Sequence, residues 1–212
     1  MWRLRRIVAL SPHTDDSELG CGGFLARALE EGTDVWVVAY SSATESLPPG
    51  TPPDTLRHEC RSALDRLGVP PEQVILRDYP VRRLAEHRQS ILEEMVSLRR
   101  ELGPDLVLLP ASTDVHQDHQ VVHAEGVRAF KETTIFGYEL PWNHLAFRGQ
   151  AFAKLERRHL ERKEHALAAY RSQVELGRPY FAPGFVEALA RLRGTQVKAE
   201  LAEAFEVVRL RL

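Results

Sequence analysis

Two short stretches of the chain concentrate the residue types that hold metal ions and move protons. Residues 11–23 read SPHTDDSELGCGG and pack His13, Asp15, Asp16 and Glu18 into six positions; residues 110–123 read PASTDVHQDHQVVH and carry Asp114, His116, Asp118, His119 and His123. A catalytic zinc takes three protein ligands of mixed imidazole and carboxylate type and keeps one position open for water. Neither stretch alone supplies a convincing set of ligands together with a base. The two together do, on condition that the fold brings them side by side. Ionisable side chains at the tip of a buried strand need partners, because a desolvated carboxylate or imidazole is costly unless it is paired or bound to a metal.

Each stretch directly follows a buried apolar run, RIVAL at 6–10 and DLVLL at 105–109. Further β-branched runs at 34–40, 73–77 and 134–140 predict strands, and amphipathic stretches between them predict helices at 22–31, 54–67, 84–102 and near 119–130. Gly68 stops the second helix, and Gly103 with Pro104 stops the third. A charged helix is expected at 155–171, another at 185–193, and the alternating run at 205–210 reads as a last edge strand. Such alternation predicts an α/β protein with a mainly parallel sheet and helices on both faces. Ligands bind such sheets in the crevice beyond the carboxyl ends of the strands, where both stretches fall. The Pro-rich loop at 46–53 is expected to border that crevice.

Blander readings exist for each stretch. HTDD suits a turn and helix N-cap, and HQDH suits a solvated helix start, with Asp118 near the positive end of the helix dipole. Their joint placement at two strand ends favours chemistry. Glycines 20, 22 and 23 raise phosphate binding as a rival, but GCGG lacks the G-x-G-x-x-G spacing and any P-loop lysine, and the acids ahead of it repel phosphate. Small residues here are expected to let the first helix approach the sheet, with Cys21 a packed residue rather than a fourth ligand. His123 is read as either a support for the site or a capping or surface residue, and Trp142 and His144 as bordering the pocket or, for Trp142, filling the core. His58, His87, His159 and His165 lie in charged segments and are expected to be solvated.

At 212 residues, with 43% hydrophobic and 27% charged side chains, one globular domain spanning 1–212 with a full core is expected. The 28 basic and 30 acidic side chains nearly cancel, and the arginines are scattered, so no footprint for nucleic acid is visible. The apolar run after the first basic residues is too short for a signal peptide and reads as the first strand; no stretch is expected to insert in a membrane. Cys21 and Cys60 read as reduced thiols, and a cytoplasmic location is expected.

These residues resemble the LmbE-like, or PIG-L, zinc-dependent N-deacetylases. His13-Thr14-Asp15-Asp16 with Glu18 to Gly23, and His116-Gln117-Asp118-His119, are similar to the two signature motifs of that family. So are Arg57-His58-Glu59 with Leu67-Gly68, Tyr138-Glu139-Leu140-Pro141-Trp142, KEHALAAYRSQ at 163–173, and Ala202-Glu203-Ala204-Phe205. The resemblance implies a Rossmann-like three-layer sandwich in which His13, Asp16 and His119 ligate zinc; Fe2+ suits the same donors. It implies Asp15 as the general base toward the attacking water and His116 facing the substrate carbonyl. Asp118 would orient a histidine, and Arg57 would contact a sugar hydroxyl. Thr14 stands where the commonest motif has Pro, and Ser17 where many members have Glu.

The implied reaction removes an N-acetyl group from a GlcNAc-like conjugate and releases acetate, with a small N-acetylated sugar as partner. Zinc acidifies water and polarises a carbonyl, and a poor amine leaving group needs an acid, so the set is chemically complete. Hydrolysis of another amide or ester, or non-catalytic binding of sugar or metal, are the competing readings; Asp15 speaks against mere binding, which needs no base. The aglycone, zinc against iron, and homo-oligomerisation are left open by the sequence.

Overall fold

The five apolar runs become neighbouring strands of one sheet in the computed structural model, which describes residues 4–211. In chain order the elements are β1 (Arg6–Ser11), α1 (Asp16–Glu30), β2 (Asp34–Ala39), α2 (Thr55–Leu67), β3 (Val74–Leu76), α3 (Arg88–Leu102) and β4 (Leu106–Pro110). They continue as α4 (Gln117–Ala129), β5 (Thr134–Tyr138), β6 (Ala151–Leu155), α5 (Arg157–Leu167), α6 (Arg171–Glu175), α7 (Phe185–Thr195) and β7 (Leu201–Arg209). The strands lie in the order β3-β2-β1-β4-β5-β7-β6. The first five are parallel, and β7 runs antiparallel to both its neighbours.

Alternate residues of the central strands feed two separate cores. Ile7, Ala9, Val35, Val37, Leu106 and Leu108 pack with α1, α2 and α5, whereas Val8, Leu10, Val38, Val107 and Leu109 pack with α3 and α4. Both faces are therefore covered, which is why these strands read as continuous apolar runs. The chain leaves β1 toward β2 on one side, while β4 flanks β1 on the other, with Ile7 opposite Leu106 and Ala9 opposite Leu108. This reversal of strand order opens a crevice at the carboxyl ends of β1 and β4. The condition set by the sequence is met.

Three expectations are corrected. The first helix starts at Asp16 rather than at residue 22, and it is broken at Cys21, whose backbone is non-helical (φ −146°, ψ 15°). The run at 205–210 belongs to a longer strand that is internal, not an edge; the edge beside it is β6, whose last residue, Leu155, the charge pattern places in a helix. The charged helix expected at 155–171 is shorter, α5 at 157–167, with α6 starting only at Arg171, and its His159 is buried: it caps α5 with Glu156 and faces Glu30. Cys21 and Cys60 are both buried and unpaired. Among the described residues no helix is long and apolar enough to cross a membrane.

The break in α1 is held by a buried ion pair. Lys163 Nζ donates to the Leu19 carbonyl and to Glu203 Oε1, both at 2.7 Å. Glu203 in turn accepts from the backbone amides of Gly23 (3.0 Å) and Phe24 (2.6 Å). The polar groups that a broken helix leaves unpaired are thereby satisfied. Gly20 sits just before the break, where an added Cβ would collide with the Tyr138 ring, so only glycine lets the turn after β1 rest against β5. Lys163→Met keeps the stem volume but strands a buried carboxylate. It is expected to cost about 3–5 kcal/mol in urea denaturation, whereas Lys154→Met, at an exposed site on β6, is expected to stay within about 0.5 kcal/mol. Equal losses from the two would remove the ion pair's structural role.

Candidate active site

The turn after β1 and the turn before α4 meet at the crevice, and three side-chain atoms converge there. His13 Nδ1 lies 3.2 Å from Asp16 Oδ2, His119 Nε2 lies 3.4 Å from the same oxygen, and the two nitrogens are 3.2 Å apart. Four-coordinate Zn2+ with bonds of about 2.0–2.1 Å separates its ligand atoms by about 3.3–3.4 Å, which is the spacing of this triangle. Its electronic state fits as well. His13 Nε2 faces Asp118 Oδ2 at 3.0 Å and His119 Nδ1 faces Asp114 Oδ2 at 2.7 Å. The carboxylates thus fix the protons on the outer nitrogens and turn two lone pairs and one carboxylate oxygen toward a common point.

The electrostatics of the floor follow from this crowding. Burial disfavours charge on His13, but Asp16 and Asp118 outweigh it and push its pKa up to about 10, so the site favours positive charge at this point. Burial likewise opposes charge on Asp16, yet His119 and His13 hold its carboxyl well below the usual range. Asp118 is also held low: against the penalty of burial it accepts from His13 and from the amides of Arg82 (2.6 Å) and Leu84 (3.2 Å).

Asp15 is the residue just before α1, and its carboxylate makes no capping hydrogen bond. It lines the cavity above the donor triangle. Burial, and then the negative charge of Asp16, raise its pKa to about 6. His116 sits at the start of α4, with its ring 4.9 Å from that of His13 and 4.7 Å from that of His119. Its Nδ1 accepts from the Asp118 amide at 3.2 Å, which leaves Nε2 as the donor, and burial followed by its two histidine neighbours lowers its pKa to about 4. A neutral imidazole presenting an N–H can stabilise developing negative charge. The ligand atoms of His13, His116 and His119 all lie within 4.8 Å of one another, so His116 is within reach of the same centre.

The cavity over these groups has a volume of about 330 Å³. Its floor is His13, Asp15, Asp16, His116 and His119, and its walls include Arg82, Trp142, Asn143, Gln173, Arg178 and Tyr180. Trp142 stacks on Tyr180 at 4.0 Å between ring centroids and stays 38% exposed, so it is a wall rather than core. A second cavity, between α5 and the segment leading to α7, is mainly apolar and shares only Tyr180 with the first.

Of the residues singled out from sequence, His13, Asp15, Asp16, His116, Asp118 and His119 come together. Arg57 does not join them: it lies on α2 outside the cavity lining, its guanidinium bonded to Asp78. Glu18 lies beneath the floor, bonded by Ser17 and Tyr170 at 2.6 Å each, and burial pushes its pKa up to about 7. His123 tethers α4 to the end of β4 through the Pro110 carbonyl (2.8 Å), and His144 accepts from the Leu140 amide (3.2 Å). Of the Pro-rich loop, Ser46 reaches the cavity. Asp114, which sequence reasoning leaves without a role, joins His119, the His116 amide (2.9 Å) and Asn143 (3.3 Å). Its position five residues before His119 is the available signal.

Comparisons with known proteins bear on this arrangement. A family profile described as PIG-L, GlcNAc-PI de-N-acetylase, matches residues 8–130. The uncharacterized deacetylase YaiS of Escherichia coli (strain K12) is 31% identical over 177 residues, covering 78% of this chain and 90% of that protein. Among solved structures, the conserved protein TT1542 of Thermus thermophilus superposes with a TM-score of 0.79 at 28% identity, over 99% of this chain and 96% of that one. N,N'-diacetylchitobiose deacetylase of Pyrococcus horikoshii (TM-score 0.76, 17% identity, 97% and 84% covered) has the same fold. So does GalB, the 4-carboxy-2-hydroxymuconate hydratase of Pseudomonas putida KT2440 (TM-score 0.80, 20% identity, 98% of each).

Proposed function

The chain belongs to the PIG-L, or LmbE-like, deacetylase family, and on that premise we propose that it is a metal-dependent hydrolase that removes the N-acetyl group from a GlcNAc-like amino-sugar conjugate and releases acetate. The observation that carries the reading is the triangle of His13, Asp16 and His119 donor atoms, 3.2–3.4 Å on each side, opening on a cavity that also holds Asp15 and His116.

In this reading His13, Asp16 and His119 hold Zn2+ or Fe2+, with Asp118 and Asp114 fixing the two imidazoles. When bound, the ion supplies polarisation of the acetyl carbonyl and acidification of the attacking water. The Asp15 carboxylate takes a proton from that water as its oxygen bonds to the carbonyl carbon. The His116 Nε2–H donates to the carbonyl oxygen as negative charge develops there. The proton taken up at Asp15 passes to the sugar nitrogen as the C–N bond breaks, giving acetate and a free amine. Trp142 and Tyr180 offer the flat apolar surface on which a sugar ring rests.

Protein loaded with Zn2+ or Fe2+ is expected to release acetate from N-acetylated sugars faster than from simple N-acetylated amines or acetyl esters, measured by coupled acetate assay. Faster turnover of the simple amides or esters would transfer the site to the second hydrolytic reading. No acetate from any of them, with metal content confirmed, would leave the fold with a different reaction.

A further inference from the structure

The three side chains of the donor triangle are each steadied by a further bond. His13 is turned by Asp118 and His119 by Asp114, and Asp16 Oδ2 accepts from the His13 amide at 2.7 Å. The Asp15 carboxylate makes no capping hydrogen bond, so its aim depends on the backbone that carries it. The peptide planes on either side of Asp15 are both held. The following one is secured by α1, where the Asp15 carbonyl accepts from the Leu19 amide at 3.0 Å. The preceding one carries the Thr14 carbonyl and lies outside the helix. It is held from beneath the floor: the Tyr170 hydroxyl donates to that carbonyl at 2.6 Å, and the Cys60 thiol donates to it at 3.3 Å.

The two donors come from different elements, and one clasp joins those elements. Tyr170 directly precedes α6, and Cys60 lies on α2 beside Glu59. Glu59 accepts from the Ser172 amide (2.8 Å) and the Ser172 hydroxyl (2.7 Å), which ties the start of α6 to α2. Glu18 Oε1 stands 2.6 Å from the same Tyr170 hydroxyl, and the tyrosine ring is fully buried, 5.8 Å from the ring of Phe181. Burial alone does not demand such a bond in this protein. The Tyr40 hydroxyl is equally buried and has no partner among the described residues.

Resting on the deacetylase reading, we propose that Tyr170 is a positioning residue for the reaction: its hydroxyl fixes the peptide plane between Thr14 and Asp15 and thereby aims the Asp15 carboxylate at the attacking water. Proton transfer is sensitive to such aim, since a misplacement of about 1 Å costs about 100-fold in rate. Tyr170→Phe keeps the ring and removes the pin. It is expected to lower kcat for acetate release by about 10–100-fold, with KM within about 2-fold of wild type. Zinc affinity, read by competition with a chromophoric chelator, is expected to stay at the wild-type value. Tyr40→Phe makes the same chemical change where the hydroxyl has no partner, and is expected to leave kcat unchanged. In an Asp15→Asn background, Tyr170→Phe is expected to cost no more than about 2-fold further, because the group it aims is already gone. A residue that only held the fold together would multiply its loss onto that of Asp15→Asn.

Backbone nitrogen relaxation dispersion by NMR gives a readout that does not need turnover. In Tyr170→Phe, exchange on the microsecond-to-millisecond scale is expected to appear at the amides of Thr14 and Asp15 and to be absent at those of Asp118 and His119. That pattern supports the proposal even if wild-type protein releases no acetate, an outcome that would overturn the deacetylase reading alone. Unchanged kcat in Tyr170→Phe, a fall in zinc affinity parallel to that in kcat, or a full multiplicative loss on top of Asp15→Asn would each overturn the positioning role and leave that reading standing. Flat dispersion at Asp15 in the variant would overturn it as well.

Discussion

Asp15→Asn is expected to lower kcat by about 10²–10⁴-fold while bound metal stays at the wild-type level. The substitution is nearly isosteric, and the Asp15 carboxylate makes no capping bond whose loss would disturb α1. What it removes is the ability to accept a proton beside the donor triangle. Turnover and metal content measured on the same preparation decide the matter. Full activity at full metal occupancy would rule Asp15 out as the base, and loss of metal together with activity would make it part of the ligand set.

His119→Ala is expected to abolish both metal retention and turnover, since it removes one of the three proposed donors and takes from the buried Asp114 carboxylate its imidazole partner, leaving it only the His116 amide and Asn143. Stripping wild-type protein with a chelator is expected to give the same loss, reversed by added Zn2+ or Fe2+. A milder version of the experiment is Asp114→Asn, which keeps every donor but loosens the ring that carries one. Its expected effect is about 10–100-fold in metal affinity, read by competition with a chromophoric chelator. Binding the ion should also raise the thermal midpoint in proportion to the logarithm of its free concentration. A His119→Ala protein that retains stoichiometric metal would transfer the third ligand to His116, whose ring lies 4.7 Å away.

The parts of this architecture that were legible in sequence are those with local causes. Buried parallel strands are apolar on both faces, so β1, β2, β4 and β5 declare themselves as short continuous runs, and the polar residues just past them mark the crevice. What escaped depends on distant partners. That β1 and β4 are neighbours is decided by pairing across about a hundred residues, so the meeting of the two motifs could only be stated as a condition. The segment Asp16 to Gly20 reads as loop because Asp16, Ser17 and Gly20 are weak helix formers; it is helical, with Lys163 and Glu203 bracing it from elsewhere in the chain.

β7 alternates like an edge strand, yet β6 covers its outer side, and β6 is half-exposed and too weakly patterned to stand out. The cavity walls come from irregular segments with no period to read. Arg82, Gln173, Arg178 and Tyr180 are invisible as a set for that reason, and Arg57, conspicuous in sequence, is bonded to Asp78 away from them.

The carboxylate that closes the break in α1 stands 180 positions beyond the glycine it holds. The turn after β1 is therefore synthesised well before β7, whose side chain fixes its shape. A nascent chain therefore carries the proposed ligands long before it can arrange them, and on the proposed reading hydrolytic competence waits for β7 to join the sheet. On that reading, acquisition of an ion is a checkpoint on assembly of the whole sheet rather than a local event at one turn.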